Sequence, residues 1–110
     1  MDRQKRYEIA EKIATNVCST MKVDRAKVFP RKFSDRTRKY EILVIRQMAI
    51  YLIRIVGKLS LKDIGFWCCM HHTTIMHAVS KISGLLKTDR SVAYKIRKCR
   101  SSLVLSTARR

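Results

Sequence analysis

The segment SLKDIGFWCCMHHTTIMHAVSKI, residues 60–82, decides the fold class, because its pattern indicates two helices separated by a tight turn. Ser60 followed three residues later by Asp63 is an N-cap pattern, so a short helix is expected from residue 61 to about 67. A second helix is expected from about His72 to Leu86. Two helices joined by a turn of about three to four residues, the second polar on one side, are typical of a helix-turn-helix.

The second helix has two sides of different composition. Its buried side is predicted to consist of Ile75, Ala78, Val79, Ile82, Leu85 and Leu86. The opposite side carries Thr73, His77, Ser80 and Gly84, flanked by Thr74 and Lys81. No Asp or Glu occurs between Gly65 and Thr88. A surface of small hydrogen-bonding side chains without acids is typical of contact with phosphates and base edges.

The remainder of the chain also has helical spacing. One proline and three glycines in 110 residues leave little material for the tight turns of an all-β fold. The pattern predicts an amphipathic helix over roughly residues 4–21, a long apolar helix from about Arg38 to Val56 with Gly57 at its C′ position, and a terminal helix. Phe66 and Trp67 are expected to be core aromatics behind the turn. The chain is therefore predicted to be all-α, with residues 1–110 forming a single domain.

The net charge restricts the class of partner. Lys and Arg number 25 against 8 Asp and Glu, which gives a formal charge of +17, and a polyanion would neutralise this self-repulsion. The uncharged run QMAIYLI, residues 47–53, is far shorter than the roughly 18 apolar residues that a membrane-spanning helix needs. The N-terminal segment is charged where a signal peptide would be apolar. We therefore expect a cytoplasmic, nucleoid-associated protein with reduced thiols and no membrane partner.

Cations are concentrated in two places before the helix-turn-helix. The segment RKFSDRTRK, residues 31–39, has five Lys or Arg in nine positions and is predicted to be a basic loop. On the long helix a narrow polar stripe is formed by Lys39, Arg46, Gln47, Arg54 and Lys58. An ordinary solvated face is the default explanation of such a stripe. Its coincidence with the basic loop favours phosphate contact.

The cysteines and histidines of the turn raise the alternative of a metal site. Cys68, Cys69, His71 and His72 contain two overlapping C-x-x-H spacings. Adjacent residues on a helix point about 100° apart, and a tetrahedral zinc site needs a second converging pair. We therefore expect no metal and no other cofactor, with the cysteines as small fillers of the turn. An enzyme is not expected either, because the chain lacks a Gly-rich phosphate loop, a carboxylate pair facing a pocket and a nucleophile placed beside a base.

Three segments of this sequence resemble a known family. RTRKYEILVIRQMAIYLIRIVGKLSLKDIG, residues 36–65, followed by HHTTIMHAVSKI, residues 71–82, and LLKTD, residues 85–89, resemble the C-terminal DNA-binding domain of the bacterial DnaA replication initiators. The resemblance extends over roughly residues 5–105. It implies a TrpR-like helical bundle that binds short double-stranded boxes of the TTATCCACA type. In that family the basic loop enters the minor groove, and the helix after the turn enters the major groove.

The resemblance also implies roles for individual residues. Arg38 matches the family's minor-groove arginine, and Arg46 with Gln47 matches its arginine–glutamine pair at the DNA backbone. Residues 72–74 match the histidine and two hydroxyl residues that begin the recognition helix. His77 is either a groove contact or a solvated side chain. The residues predicted to contact bases are Arg38, His71, His72, Thr73, Thr74 and His77. Those predicted to contact phosphates are Arg36, Lys39, Arg46, Gln47, Arg54, Lys62 and Lys81.

The turn departs from the family pattern. Where the family has an aromatic or apolar residue, two glycines, a basic residue and Asp, this chain has CCMH, residues 68–71, and the segment before His72 is one residue shorter. His71 replaces the aspartate that accepts a hydrogen bond from a cytosine amino group. An imidazole can instead donate to a guanine or, when it is neutral, accept. The preference for the CAC part of the box is therefore expected to differ.

The chain also contains no G-x-x-x-x-G-K-[ST] phosphate loop, so no nucleotide partner is expected. We expect a small independent gene, from a phage or mobile element, rather than an excised domain. It would regulate replication initiation or transcription, with replication proteins as further partners. Two alternatives remain open: a basic architectural or RNA-binding protein without sequence preference, and an interaction protein that targets the initiator or another replication factor.

Overall fold

The computed structural model describes residues 2–30 and 39–108, with side chains up to Leu103. This part of the chain contains helices and no strand, so the predicted all-α class is confirmed. The six helices of this part are α1 (Arg3–Met21), α2 (Arg25–Val28), α3 (Tyr40–Ile55), α4 (Leu61–Cys68), α5 (His72–Thr88) and α6 (Arg90–Ala108). None of the helices among the described residues is long and apolar enough to span a bilayer.

Helix α3 is the centre of the bundle. Met48, Ala49, Leu52 and Ile53 are fully buried along it, as expected for a helix that is apolar around most of its circumference. α1 and α5 both pack on α3, but they do not contact each other, so they lie on different sides of it. α4 and α6 each contact both α1 and α5, and thereby close the bundle at its remaining sides.

The predicted apolar stripes form the core. Burial of each Val, Leu or Ile side chain among them stabilises the fold by about 1.5–3 kcal/mol relative to exposure. α1 contributes Ala10, Ile13, Ala14 and Val17, α5 contributes Ile75, Ala78 and Ile82, and α6 contributes Val92, Ile96, Cys99 and Leu103. These residues recur at steps of three and four, which is why the sequence alone identified them.

Side-chain caps begin five of the described helices, and those of α1, α2 and α4 come first. The carboxylate of Asp2 accepts a hydrogen bond from the Lys5 amide at 2.8 Å, and that of Asp24 accepts one from the Ala26 amide at 3.0 Å. Ser60 caps α4, since its hydroxyl accepts from the Asp63 amide at 3.1 Å, as the SLKD pattern predicted. Such caps each contribute about 1 kcal/mol.

The end of α3 differs from the prediction. Gly57 follows the C-cap residue Val56 and so occupies the predicted C′ position, but the residue with left-handed backbone is Lys58 (φ 57°). Gly57 is needed because neighbouring atoms approach its backbone too closely to leave room for a side chain. A Cβ at Gly57 would lie 2.6 Å from the Ile53 carbonyl oxygen and 3.1 Å from the Ile13 side chain. The glycine thus lets α1 pack against the end of α3.

Candidate nucleic-acid interface

The turn between α4 and α5 is closed by backbone contacts. α4 ends at Cys68, and Cys69 adopts left-handed backbone (φ 58°, ψ 45°) with its amide bonded to the Gly65 carbonyl. The Met70 amide donates to the same carbonyl at 2.9 Å. A Cβ at Gly65 would lie 2.6 Å from the Met70 carbonyl oxygen, so the turn fits only when residue 65 is glycine. The predicted helix-turn-helix is therefore present, with residues 69–71 between its helices.

His71 is the N-cap of α5. Its Nδ1 accepts a hydrogen bond from the Thr73 amide at 3.1 Å, and its carbonyl accepts from the Thr74 amide at 2.9 Å. Its ring stacks on that of His72, with 4.4 Å between centroids and 31° between planes. Both rings are exposed to solvent. The cap therefore orients His71 at the point where α5 meets solvent.

The exposed side of α5 lies where the sequence predicted it. His72, Thr74, His77 and Lys81 are exposed, and Thr73 is half-buried. None of these side chains is enclosed in the bundle, since the buried side of the helix is that of Ile75, Ala78 and Ile82. Met76, which is 45% exposed, lies on the same outer side and was not among the predicted site residues. Its apolar character is the reason why the sequence did not single it out.

The start of α3 adjoins this surface. Lys81 Nζ lies 5.8 Å from the centroid of the Tyr40 ring, a cation–π contact. Tyr40 is the first residue of α3 and is exposed, as is Lys39 before it. The start of α3, which follows the segment 31–38 in the chain, therefore lies beside the exposed side of α5. Two predicted contact residues, Arg36 and Arg38, lie in that segment and hence outside the described residues.

The predicted polar stripe on α3 is not uniformly exposed. Arg46 is only 4% exposed, and its Nε donates to the Val28 carbonyl at 2.6 Å. The expectation of a solvent-facing cation is therefore wrong at this position, because the end of α2 covers it. As placed, Arg46 fixes α2 to α3, and a contact between its side chain and phosphate stays a prediction.

The other members of the stripe are nearer to solvent. Gln47 is half-buried, with its Oε1 enclosed and without a hydrogen-bond partner among the described residues. Arg54 is exposed and also donates from a terminal nitrogen to the Leu59 carbonyl at 2.8 Å, which braces the connection to α4. Lys58 and Lys62 are exposed close by. The exposed cations therefore cluster at the end of α3 and the start of α4.

Behind the turn, the two aromatics of α4 behave differently. Trp67 is half-buried and packs against Phe29, with 5.0 Å between ring centroids. The guanidinium of Arg25 lies 5.9 Å from the centroids of both rings and is also paired with Glu11. This cluster ties α1, α2 and α4 together behind the interface. Phe66, in contrast, is 62% exposed, so the expectation that it is a core residue is wrong. Neighbours on a helix point about 100° apart, and the core side of α4 takes Trp67.

The C-x-x-H spacings do not produce a cluster of ligands. In residues 2–30 and 39–108, no group of three or more His, Cys, Asp or Glu is close enough to hold a metal ion. The Sγ of Cys68 donates to the Ile64 carbonyl at 3.1 Å, in the manner of a small residue packed on its own helix. Away from the turn, burial raises the pKa of the Cys18 thiol and raises that of Cys99 to about 11.

The acids that border the acid-free segment have structural partners. Asp63, in α4, accepts a hydrogen bond from an Arg6 terminal nitrogen at 2.9 Å. That hydrogen bond holds the pKa of the Asp63 carboxyl below its usual value. Asp89 caps α6, since its carboxylate accepts from the amides of Ser91 at 2.9 Å and Val92 at 3.2 Å. Between these two acids, α5 presents only neutral and cationic groups to solvent.

Comparisons with known proteins agree with this geometry. The family model described as bacterial dnaA protein helix-turn-helix matches residues 10–82. A chromosomal replication initiator protein DnaA from Thermus thermophilus is 34% identical over 74 residues, which cover 66% of this chain and 17% of the relative. The DnaA of Caldanaerobacter subterraneus is 44% identical over 64 residues, covering 58% of this chain and 14% of the relative. That of Deinococcus radiodurans is 39% identical over 66 residues, covering 60% and 14%.

The chain spans about one sixth of the length of these relatives. The region that they share with it is the helix-turn-helix and the helices that support it. The chain therefore belongs to the family of bacterial DnaA protein helix-turn-helix domains.

Proposed function

We propose that this protein binds double-stranded DNA at specific sites, with α5 in the major groove. The observation that carries the proposal is the exposed, acid-free side of α5, with Lys81 in contact with Tyr40 at the start of α3. A major groove about 12 Å wide admits one α-helix, and the recognition helix of a helix-turn-helix reads bases with its N-terminal residues. In α5 these are residues 71–77, whose exposed side chains are histidines, a threonine and Met76.

Phosphate contacts would hold α5 in register. The cations proposed for this role are Lys39, Arg54, Lys62 and Lys81, all of them exposed, and α3 also carries the half-buried Gln47. Arg38 completes the proposal as the group that enters the adjacent minor groove, as the family resemblance implies, and Arg36 is proposed as a further phosphate contact. Contacts of this kind position the protein, and base contacts then select the sequence.

The proposal is tested by competition between duplexes. The expected result is that a duplex containing TTATCCACA, or a close variant found by selection from a random pool, binds more tightly than a scrambled duplex at physiological salt. Thr73→Ala should reduce the ratio of the two affinities, since one good base contact contributes about 1–3 kcal/mol. Thr15→Ala is the matched control, because Thr15 is exposed on α1, which does not contact α5.

The same test distinguishes this proposal from a second candidate function, non-specific binding. The charge of +17 favours non-specific binding to any nucleic acid by counterion release. Equal affinity for all duplexes, with a steep decrease as salt rises, would establish that function and overturn ours. The wider role that we propose is regulation of replication initiation or of transcription by occupying boxes, without catalysis, nucleotide or cofactor. Contacts with replication proteins and an origin in a phage or mobile element remain predictions.

A further inference from the structure

The outward-facing atom of the His71 ring has a fixed hydrogen-bonding character. Nδ1 accepts the Thr73 amide at 3.1 Å, so this nitrogen carries no proton in the capped helix. In a neutral imidazole one nitrogen is a donor and the other an acceptor. The proton must then be on Nε2, at the opposite edge of the ring. The cap therefore makes the exposed edge of His71 a hydrogen-bond donor.

We infer that His71 selects a base that presents an acceptor in the major groove, guanine above all, and selects against cytosine. This inference rests on the proposed function. Guanine offers O6 and N7 as acceptors in the major groove and thymine offers O4, whereas cytosine offers the N4 amino donor. A donor on the protein pairs with the former bases and opposes the latter.

Aspartate at the same position would cap the helix but read the opposite base. A carboxylate accepts the amide with one oxygen, as Asp2 and Asp24 do in this protein, and its other oxygen is also an acceptor. That second oxygen suits the cytosine amino group. Histidine in place of aspartate at position 71 thus retains the cap of α5, but the group that faces the DNA becomes a hydrogen-bond donor instead of an acceptor.

The surroundings of His71 keep the donor in place. The ring stacks on His72 at 4.4 Å, and the backbone carbonyl of His71 accepts the Thr74 amide. The nearest acid along α4 is Asp63, whose carboxylate is bonded to Arg6 rather than to the turn.

The first test needs no DNA. Ring ¹⁵N spectra of the free protein, assigned with the variant His71→Asn, should show Nδ1 of His71 unprotonated and Nε2 protonated when the imidazole is neutral. The opposite tautomer would overturn the inference and leave the proposed function untouched. The spectrum of His77, which caps no helix, supplies the internal reference.

The second test measures affinity for a set of duplexes. Each base pair in the CAC part of TTATCCACA is replaced in turn by the three others, and the wild-type chain is compared with His71→Asp. The wild type should prefer guanine or thymine over cytosine at one pair by about five- to 150-fold, the range of one good base contact. His71→Asp should reverse that preference, because the cap is retained and the outward group becomes an acceptor.

The outcomes separate the two proposals. A His71→Asp variant that binds all duplexes more weakly by a common factor, with unchanged ratios, would assign His71 a purely structural role and overturn the inference. A wild-type preference for cytosine at all the tested cytosine positions would do the same. If no duplex of the set exceeds a scrambled one, both the inference and site-specific binding fail. His71→Asn should keep the direction of the wild-type preference, since an amide that caps through its oxygen presents its NH2 donor to the DNA.

Discussion

Helices α1 and α5 pack on different sides of α3, and their exposed sides differ in the placement of acids rather than of cations. Lys5 and Lys12 on α1 are exposed, as are Lys81 and Lys87 on α5. α1 carries acids, as does its cap residue Asp2, whereas α5 carries none, since no Asp or Glu occurs between Gly65 and Thr88. The field outside the protein depends on the sum of both signs. The absence of acids therefore marks α5, more than an excess of lysines does, as the side that meets a polyanion.

The acids that remain near α1 have structural roles. Asp2 caps α1, Glu11 is paired with Arg25, and α1 supplies through Arg6 the cation that binds Asp63 of α4. An acid used in this way is partly neutralised by its partner. Asp2, Glu11 and Asp63 thus hold elements together, whereas α5 carries no acid on the side that phosphates are proposed to approach.

Charge reversal on the two helices tests this comparison with the largest expected effect. Each phosphate contact contributes about 0.9 to the slope of log affinity against log salt concentration. One contact therefore changes the affinity about tenfold for a tenfold change in salt concentration. Lys81→Glu removes one such contact and adds repulsion, so we expect affinity for every duplex to fall on the order of 50-fold. The matched reversal Lys12→Glu should change it about twofold or less, because Lys12 is screened from DNA bound at α5.

Fluorescence anisotropy with labelled duplexes at 0.1 M salt measures both effects, and thermal unfolding checks that both variants fold. If Lys12→Glu weakened binding as much as Lys81→Glu, the difference between the two surfaces would have no bearing on DNA binding.

Substitution of Gly84 should have a smaller effect, which raises the stability of the free protein and lowers its affinity for DNA. It lies on the exposed side of α5, and a Cβ added there would meet no atom within 4 Å. Gly84→Ala should therefore stabilise the free protein by about 0.5–1 kcal/mol, since glycine within a helix is disfavoured relative to alanine by that amount. Affinity for DNA should fall, because the methyl group would occupy the side that approaches the groove. Urea unfolding gives the first value and anisotropy the second.

An unchanged affinity in Gly84→Ala, accompanied by the gain in stability, would place the last turns of α5 outside the contact. It would confine reading of the DNA to residues 71–77.

The surface of α5 could be predicted from the sequence because its two sides contrast in polarity. Every large residue of its predicted core stripe is buried or half-buried. α3 gave no such contrast, since it is apolar around most of its circumference, and the place of Arg46 depended on Val28, 18 residues earlier. No local pattern contains that contact. The same limit applies to Phe66 and Trp67, because packing against Phe29 decided which of two adjacent aromatics was buried.

The geometry of the turn was also beyond the sequence. Glycine usually occupies a left-handed position, and here Cys69 does so at φ 58° without a residue type that announces it. The tautomer of His71 followed only from the position of its ring relative to the Thr73 amide. The helix-turn-helix itself was predictable, because the cap at Ser60, Gly65 and the stripe of α5 are local features.

The left-handed conformation of Cys69 leads to a smaller prediction. A residue with a Cβ costs about 1–2 kcal/mol in this conformation, and part of that cost is offset by the greater freedom of glycine in the unfolded chain. Cys69→Gly should therefore stabilise the protein by about 0.5–1 kcal/mol. Because Cys69 is exposed and lies in the turn rather than on α5, relative affinities for different duplexes should not change. Urea unfolding and the duplex set measure these two expectations, and a loss of stability would contradict the strain assigned to the turn.

The pairing of Arg6 with Asp63 gives the smallest effect, in its dependence on pH. The hydrogen bond from Arg6 lowers the pKa of Asp63 from its ordinary value of 3.8, so the pair stabilises the fold above that pH and ceases to do so as pH falls through the lower folded-state value. Arg6→Ala should therefore be less stable than the wild type at pH 7, and the difference should shrink between about pH 5 and about pH 2. Lys5→Ala, an exposed neighbour, is the control and should show no such convergence.

Arg6→Ala would also leave the carboxylate of Asp63 unpaired within the helix-turn-helix. A modest loss of affinity for all duplexes at pH 7 is therefore expected, because an unpaired negative charge repels phosphates. Unchanged affinity would mean that the pairing of Arg6 with Asp63 serves stability alone. The absence of acids would then matter for DNA binding only on α5 itself.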